Sequence, residues 1–458
     1  MGPAPASTSM PHPCCPLPFS RRQLIVQVDF GNPVVWHFMR AERITADPGF
    51  APLLCTQALT ALHHNLLRSA VLTMIAFGAI DTGAWPVESV VGATTILAVV
   101  PYVVLSLSAG RWTDRWSRAG VIRLCKLAEV AIAGIAAVGL LSGNLAMLLA
   151  AVLVCGVEAA VLGPAKFAIL PELVAAKRLV AANSWVTATS TIAILLGLVL
   201  GNVLAAISSG PGLLSILGVT LALAGVGLSR AIPDAEAPQA GLASSAWSDA
   251  ARILTEVARQ PPVLLAILGC SWFWFQGAFN TTAIPLLIAA MGEGEVAVSI
   301  VFLVSSICVA AGAMVARLVQ GKLSHPAVPA AVALMTVLPA TDIGFLSAAH
   351  SYSRLLIDIA LMSTASGLYI VPVGLAMQVL PPAADRGRYI GINHVFNGLA
   401  MLLAGACVAG LGVLSMRPDS AIGSIGVMSA CVAIITLPTL LPSLTAFRTR
   451  SATADLAA

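Results

Sequence analysis

Ionisable side chains inside apolar runs are the first place to look for chemistry. Each costs several kcal/mol in lipid unless it is paired or used. His64 lies near the middle of one such run and Glu158 lies slightly past the middle of another. An imidazole and a carboxylate are groups that take up and release protons or hold a polar ligand. Asn65 adjoins the imidazole, and Arg68 follows it by one helical turn on the same face. Arg68 either binds a lipid phosphate or snorkels to the outer surface. Lys126 and Glu129 share a helix face and predict a structural ion pair near the inner end of their run. His394 reads as a hydrogen-bonded core residue, and Asp342 and Asp358 carry no assignment. Farther on, Trp272, Phe273, Trp274 and Phe275 stand together at mid-depth, away from the interfaces where membrane aromatics gather. Their faces could hold an acyl chain or, by cation–π attraction, an ammonium headgroup; packing against lipid is the alternative. Gln276 and Asn280, four apart, offer hydrogen bonds on one face.

These groups need helices to hold them, and composition dictates which kind. The chain is 58% hydrophobic and 10% charged, against about 25% charged in soluble proteins. It must use lipid as solvent. A net charge of +4 without a basic, aromatic-interleaved patch excludes a nucleic-acid partner. Nine cysteines are scattered without a CxxC or a Cys/His ligand set, so they read as small apolar residues; no metal or other cofactor is expected. A span takes about 20 apolar residues. The predicted spans are 52–77, 87–109, 121–141, 145–163, 182–207, 212–230, 262–290, 296–317, 327–348, 354–379, 389–414 and 419–442. The predicted fold is therefore an all-α membrane protein of twelve transmembrane helices in two six-helix bundles, 51–230 and 262–442. With the N-terminus cytoplasmic, 21 of the 24 lysines and arginines fall on the cytoplasmic side. Only Arg354 and Arg417 fall outside, and Arg68 lies in a span. That bias predicts cytoplasmic termini. Residues 1–50 are Pro-rich and lack the apolar region of a signal peptide; they read as a disordered cytoplasmic leader, with Met39 as an alternative start. In the polar break, 231–261, Ala246, Ala250, Ile253, Leu254 and Val257 recur at helical spacing. They predict an amphipathic cytoplasmic helix that acts as a tether. Residues 443–458 read as a cytoplasmic tail.

The stretch Gly163–Gly197 organises the first bundle. Pro164 and Pro171 bracket a hexad, and proline lacks the N–H that a helix interior needs. They predict that one span ends, a short helix lies along the surface, and a new span enters near Ala182. Leu170-Pro171 and Asn183 recur as Leu380-Pro381 and Asn393, displaced by 210 residues, and Pro164 recurs as Pro372. Such recurrence predicts two similar halves, as in many secondary transporters.

Gly110-Arg-Trp-Thr-Asp114-Arg115-Trp-Ser-Arg118 follows the second span. It is similar to the G-x-x-x-D-R-x-x-R/K signature of the major facilitator superfamily. Gly110 permits close approach of helix ends, and Asp114 can accept charge-assisted hydrogen bonds from arginine. The resemblance implies a gate, built here from Gly110, Asp114, Arg115, Arg118, Pro164 and Lys166, that holds the cytoplasmic side shut. GPAKFAILPEL, IRLCKLAE, LYIVPVGLAMQ and SWFWFQGAF resemble the lysophospholipid transporter family, closest to the transporter half of transporter–acyltransferase fusions. The likeness covers about residues 50–442 and implies a non-enzymatic carrier of lysophospholipids across the bacterial inner membrane. No His-x4-Asp motif is present, so the acyltransferase would be a separate protein. In the family the first span usually carries an acid where this chain has His64, and the fourth a neutral residue where it has Glu158. Some relatives carry Arg near Asn280 and Thr281. In this superfamily the first and fourth helices face the cavity. The resemblance thus implies that the acid has moved to the fourth helix and pairs with His64; satisfaction by local backbone or water is the alternative. The implied site is His64, Asn65, Arg68, Glu158, Trp272, Trp274, Gln276, Asn280 and Thr281. Two rivals are a proton-coupled exporter of small drugs or metabolites, using Glu158 or His64, and a non-transporting membrane scaffold.

Overall fold

A computed structural model describes residues 47, 49–175, 178–234, 246–318, 327–345, 351–382 and 386–456. Among these the chain forms twelve long helices: α1 Phe50–Ala76, α2 Val87–Arg115, α3 Arg118–Ser142, α4 Leu145–Ala168, α5 Leu179–Ala205, α6 Gly210–Ser229, α7 Pro261–Ala290, α8 Glu295–Leu318, α9 Ala327–Phe345, α10 Tyr352–Val379, α11 Arg386–Leu414 and α12 Pro418–Leu456. A single turn, Leu170–Leu173, follows α4, and a linker helix, Ala246–Ala258, precedes α7. Ten of the twelve are long and apolar enough to cross a membrane. The apolar part of α9, Val328–Gly344, is shorter. α1 is diluted by Thr56, Gln57, Thr60, His63, Ser69 and Thr73, all of them buried. Leu141, Ile216, Ile307, Leu338 and Ile435 are each more than half exposed, which suits a lipid surround and not water.

Local chemistry sets many of the ends. Ser117 caps α3 by accepting from Gly120 N, Asn144 caps α4 by accepting from Met147 N, and Gly143 closes α3 in the left-handed region at φ 64°. Three ends differ from expectation. α4 runs through Pro164 to Ala168, because a proline inside a membrane helix removes one backbone bond without obliging the helix to stop. α2 continues to Arg115, so Gly110, Asp114 and Arg115 belong to its last turns and not to a loop. α12 continues through Pro438 and Pro442 to Leu456, so most of the expected tail is helical. In the linker helix Ile253 and Val257 are fully buried against the core containing Val263, Ile267 and Tyr389, and Gln260 Nε2 donates to Tyr389 Oη at 3.0 Å. The segment is docked and is not a loose tether. Leu254, expected on the same buried face, is 42% exposed.

The packing repeats. α1 packs on α5 and α6, α2 on α4, and α3 on α4 and α6; α7 packs on α11 and α12, α8 on α10, and α9 on α10 and α12. Each pair recurs six helices later. Small residues allow the close approaches: a Cβ on Gly197 would lie 2.6 Å from Leu62 O, and one on Gly201 would lie 2.5 Å from Leu66 O. Gln57, Thr189 and Ser190 exchange side-chain hydrogen bonds along that same α1–α5 seam.

The core is continuous at one end and divided at the other. At the end where α1 finishes, a single cluster joins Ile75, Ile132 and Leu148 to Phe279, Val298, Val408 and Ile422. At the end where α1 begins, Phe50, Ile122 and Ile169 form one cluster while Ile267, Val373 and Leu437 form another. Hydrogen bonds cross the joined end: Thr95 to Thr282 at 2.8 Å, Ser89 Oγ to Ala409 O at 2.9 Å, and Ser299 Oγ to Val199 O at 3.2 Å.

Candidate substrate-binding and gating site

The centre of the first six helices is charged. His63 and His64, near the middle of α1, are about 100° apart on the helix, so they address different neighbours. His63 Nδ1 lies 2.9 Å from Glu129 Oε1 of α3, and His64 Nε2 lies 2.9 Å from Glu158 Oε2 of α4. Lys126 joins the two pairs. Its ammonium donates to Glu129 and Thr60 and stands 3.3 Å from Glu158 Oε1. Thr60, one turn before His64, also donates to Glu129 Oε2 at 3.3 Å. Lys126, Glu129 and Glu158 side chains are at most 1% exposed; that of His64 is 15% exposed. A carboxylate only accepts, so each imidazole nitrogen facing one carries the proton. Donor atoms of His63, His64 and Glu129 fall within 4.8 Å of one another. The Lys126 ammonium already supplies the cation there.

His64, Asn65 and Arg68 line a cavity of about 150 Å³ with Ala98 of α2 and Val152, Cys155, Gly156 and Ala159 of α4. Among the described residues Arg68 makes no hydrogen bond or ion pair, although it is only partly exposed. Asn65 donates to Ala61 O of its own helix at 2.8 Å. Of the α7 residues, Trp272 points to α12, where its Nε1 donates to Ser429 Oγ at 3.0 Å, and it stacks on Phe275. Trp274 is exposed and edge-on to Phe273. The four aromatics therefore splay around the helix and do not form one cage. Gln276 is buried and Asn280 half-buried, with no hydrogen bond to either among the described residues, while Thr281 bonds back to Gly277 O.

At the divided end Arg118 pairs with Glu172 of the turn after α4, and Arg123 reaches Asp234 at 2.8 Å and Ile232 O at 2.6 Å. Both stay within the first half. Lys166 lies over the Phe167 ring at 5.2 Å. Side chains of Gly110 to Arg115, and residues 319–326 of the equivalent second-half loop, lie outside the described residues.

The sequence profile of the Major Facilitator Superfamily matches residues 53–405. The chain belongs to the major facilitator superfamily. Among curated relatives it is 31% identical over 330 residues to a protein named lysophospholipid transporter LplT of Pectobacterium carotovorum, covering 67% of this chain and 74% of that one. It is 25% identical over 377 residues to the LplT of Yersinia enterocolitica, covering 79% and 87%. Among solved structures, an inward-facing bacterial homologue of the human lysosomal transporter Spinster matches with TM-score 0.63 at 13% identity, covering 86% of this chain and 98% of that one. A D-xylose–proton symporter matches with TM-score 0.64 at 13% identity, covering 85% and 98%. This facilitator is thus a multi-pass membrane transporter, not an enzyme, and is similar to lysophospholipid carriers.

Two expectations need correction. Lys126, counted on the cytoplasmic side, is fully buried at the hub of the charged cluster, so its expected pair with Glu129 is present but is one link in a larger network. His394 is exposed and makes no hydrogen bond among the described residues. His63 and Thr60 went unnoticed. Lys126 and Glu129 were singled out as an ion pair, which the structure contains, but nothing in the sequence linked that pair to His64 and Glu158. No signal existed for Thr60, a common residue in membrane helices.

Proposed function

We propose that this facilitator moves a lysophospholipid, or a similar single-chain amphiphile, between leaflets by alternating access. The observation that carries the proposal is the Arg68 guanidinium, without a partner among the described residues, beside His64 on a cavity within the membrane-spanning helices. A guanidinium matches a phosphate in charge and geometry, and the names of the curated relatives point to the same cargo. The headgroup occupies the cavity near Arg68, His64, Asn65 and Glu158. Gln276, Asn280 and Thr281 of the second half complete the site in the closed carrier, and the tail meets apolar wall or lipid. The halves, 51–230 and 262–442, rock about this site, the linker 231–261 riding on the second. Both termini are cytoplasmic, so the divided end faces the cytoplasm. There Gly110, Asp114, Arg115 and Arg118 draw together, with Pro164 and Lys166 adjoining, when the carrier turns outward. A separate acyltransferase takes the delivered lipid on the cytoplasmic side.

The test is a flip assay with labelled lysophosphatidylethanolamine in vesicles reconstituted with the full chain. Transport should saturate and fall at least tenfold in Arg68→Ala. Saturable transport of cationic drugs with no flip of lysolipid would overturn the cargo.

A further inference from the structure

Charge counting around the cavity leads beyond a passive carrier. Buried charge must balance, because an uncompensated ion in low dielectric is strongly disfavoured. Lys126 and Arg68 contribute two positive charges; Glu129 and Glu158 contribute two negative ones. With both imidazoles neutral, the empty site sums to zero. An anionic headgroup on Arg68 adds one negative charge. One proton then restores balance, and it needs a base with access to water.

The two imidazoles are not equivalent in this respect. His63 Nδ1–H donates to Glu129, which leaves Nε2 facing Gly218. The void behind His63 holds only about 10 Å³ and is lined by Leu66, Ala133, Leu214, Ser215 and other small or apolar groups. That is about the room one water needs. His64 Nε2–H donates to Glu158, which leaves Nδ1 as a base on the ring that borders the larger cavity. The remaining titratable or charged groups facing it are Arg68 on its own helix, Lys126 and Glu129 from α3, and Cys155 from α4. α2 carries Glu88 at its start and Tyr102 one turn past Ala98, α5 and α6 carry none along their lengths, and α7 carries only Cys270.

We propose that the protein is a proton-coupled carrier in which an anionic headgroup on Arg68 and one proton on His64 bind together, cross together and leave together. The proton comes from water on the side to which the cavity is open and sits on His64 Nδ1 while Nε2–H stays on Glu158. It departs to water on the opposite side when the anion leaves Arg68, and the empty site returns neutral. The inference narrows the proposed cargo to a lysophospholipid whose headgroup carries one net negative charge and rests on that cargo for its coupling, but the proton site itself can be tested without cargo.

The decisive experiment titrates the purified full chain with lysophosphatidylglycerol in weakly buffered detergent. A pH dye reads proton uptake, and intrinsic tryptophan fluorescence reads binding. The expected result is one proton taken up per lipid bound, and in His64→Gln, whatever its lipid affinity, no proton taken up per lipid bound. In vesicles, the accumulation ratio should rise about tenfold per unit of pH difference and ignore a sodium gradient. Binding without proton uptake, undiminished uptake in His64→Gln, or drive by sodium in place of protons would overturn the proposal. If the lipid does not bind at all, the cargo assignment fails instead. The proton site is then read by infrared difference spectra of the ligand-free protein, stepped from about pH 8 to about pH 4. The other six histidines contribute a background, so a histidine contribution seen in wild type and lost from the His64→Gln spectrum supports it. A titration unchanged in that variant sinks it.

Discussion

The two halves share one packing scheme and bury different things. The first half holds an ammonium, two carboxylates and two imidazoles at its centre, drawn from α1, α3 and α4. At the centre of the second half the described side-chain contacts join neutral groups, although α9 and α10 bury Asp342 and Asp358 farther along. Ser271 Oγ donates to Asn397 Oδ1 at 3.1 Å, Ser305 meets Ser363 at 2.8 Å, and Thr436 Oγ1 approaches Tyr369 Oη at 3.4 Å. Second-half charges that do pair, Arg354 with Asp342 and Arg417 with Asp419, lie near the joined end. A neutral hydroxyl–amide contact contributes about 1 kcal/mol and tolerates loss. An ionised centre is tolerated only while complete, since removing one partner strands the other. The difference teaches that a repeated scaffold does not imply repeated chemistry. One bundle carries the electrostatic device, and the other supplies a wall that moves against it.

The comparison breaks most sharply at its charged member. Lys126→Met strips two buried carboxylates of the ammonium they share, leaves one negative charge uncompensated, and should destabilise the protein by about 3–5 kcal/mol, read as a large fall in melting temperature in detergent. Adding Glu129→Gln to Lys126→Met should recover part of that loss. If Lys126→Met melts like wild type, the centre is not a closed ionic network. The junction between the halves comes next. A Cβ on Gly92 would lie within 2.5 Å of Gly405 O on α11, so Gly92→Val should cost about 1–3 kcal/mol in this conformation. Its readout is a shift of spin-label distances across the joined end toward separation. The neutral member should be milder: Ser271→Ala should cost about 1 kcal/mol and leave transport within about twofold. A loss as large as that of Lys126→Met would erase the asymmetry. Least affected should be the exposed margin. Arg123→Ala removes a partly exposed pair with Asp234 and should change stability by less than about 1 kcal/mol, an effect that salt screens further.

Much of this was legible beforehand, for identifiable reasons. Spans could be read because lipid tolerates almost nothing but a closed helix of sufficient length, so apolar runs and their polar breaks fall close to the observed ends. Helix ends were misjudged where proline was read as a stop, at Pro164, and where charge was read as loop, at Asp114 and Arg115. The aromatic cluster on α7 looked like one surface in a linear string, yet on a helix only Trp272 and Phe275, three apart, share a face. Lys126 was misplaced because a cation near a span end looks the same in sequence whether it snorkels to water or turns inward.

By itself the sequence determined the solvent, the helix count and the presence of costly ionisable groups, because those follow from local composition and length. Only the tertiary structure decided that α1, α3 and α4 bring their charges to one point, that Arg68 stands apart from them, and that the core is joined at one end alone. Those facts depend on which faces of different helices meet. That choice is made by packing across long separations, which no local pattern encodes.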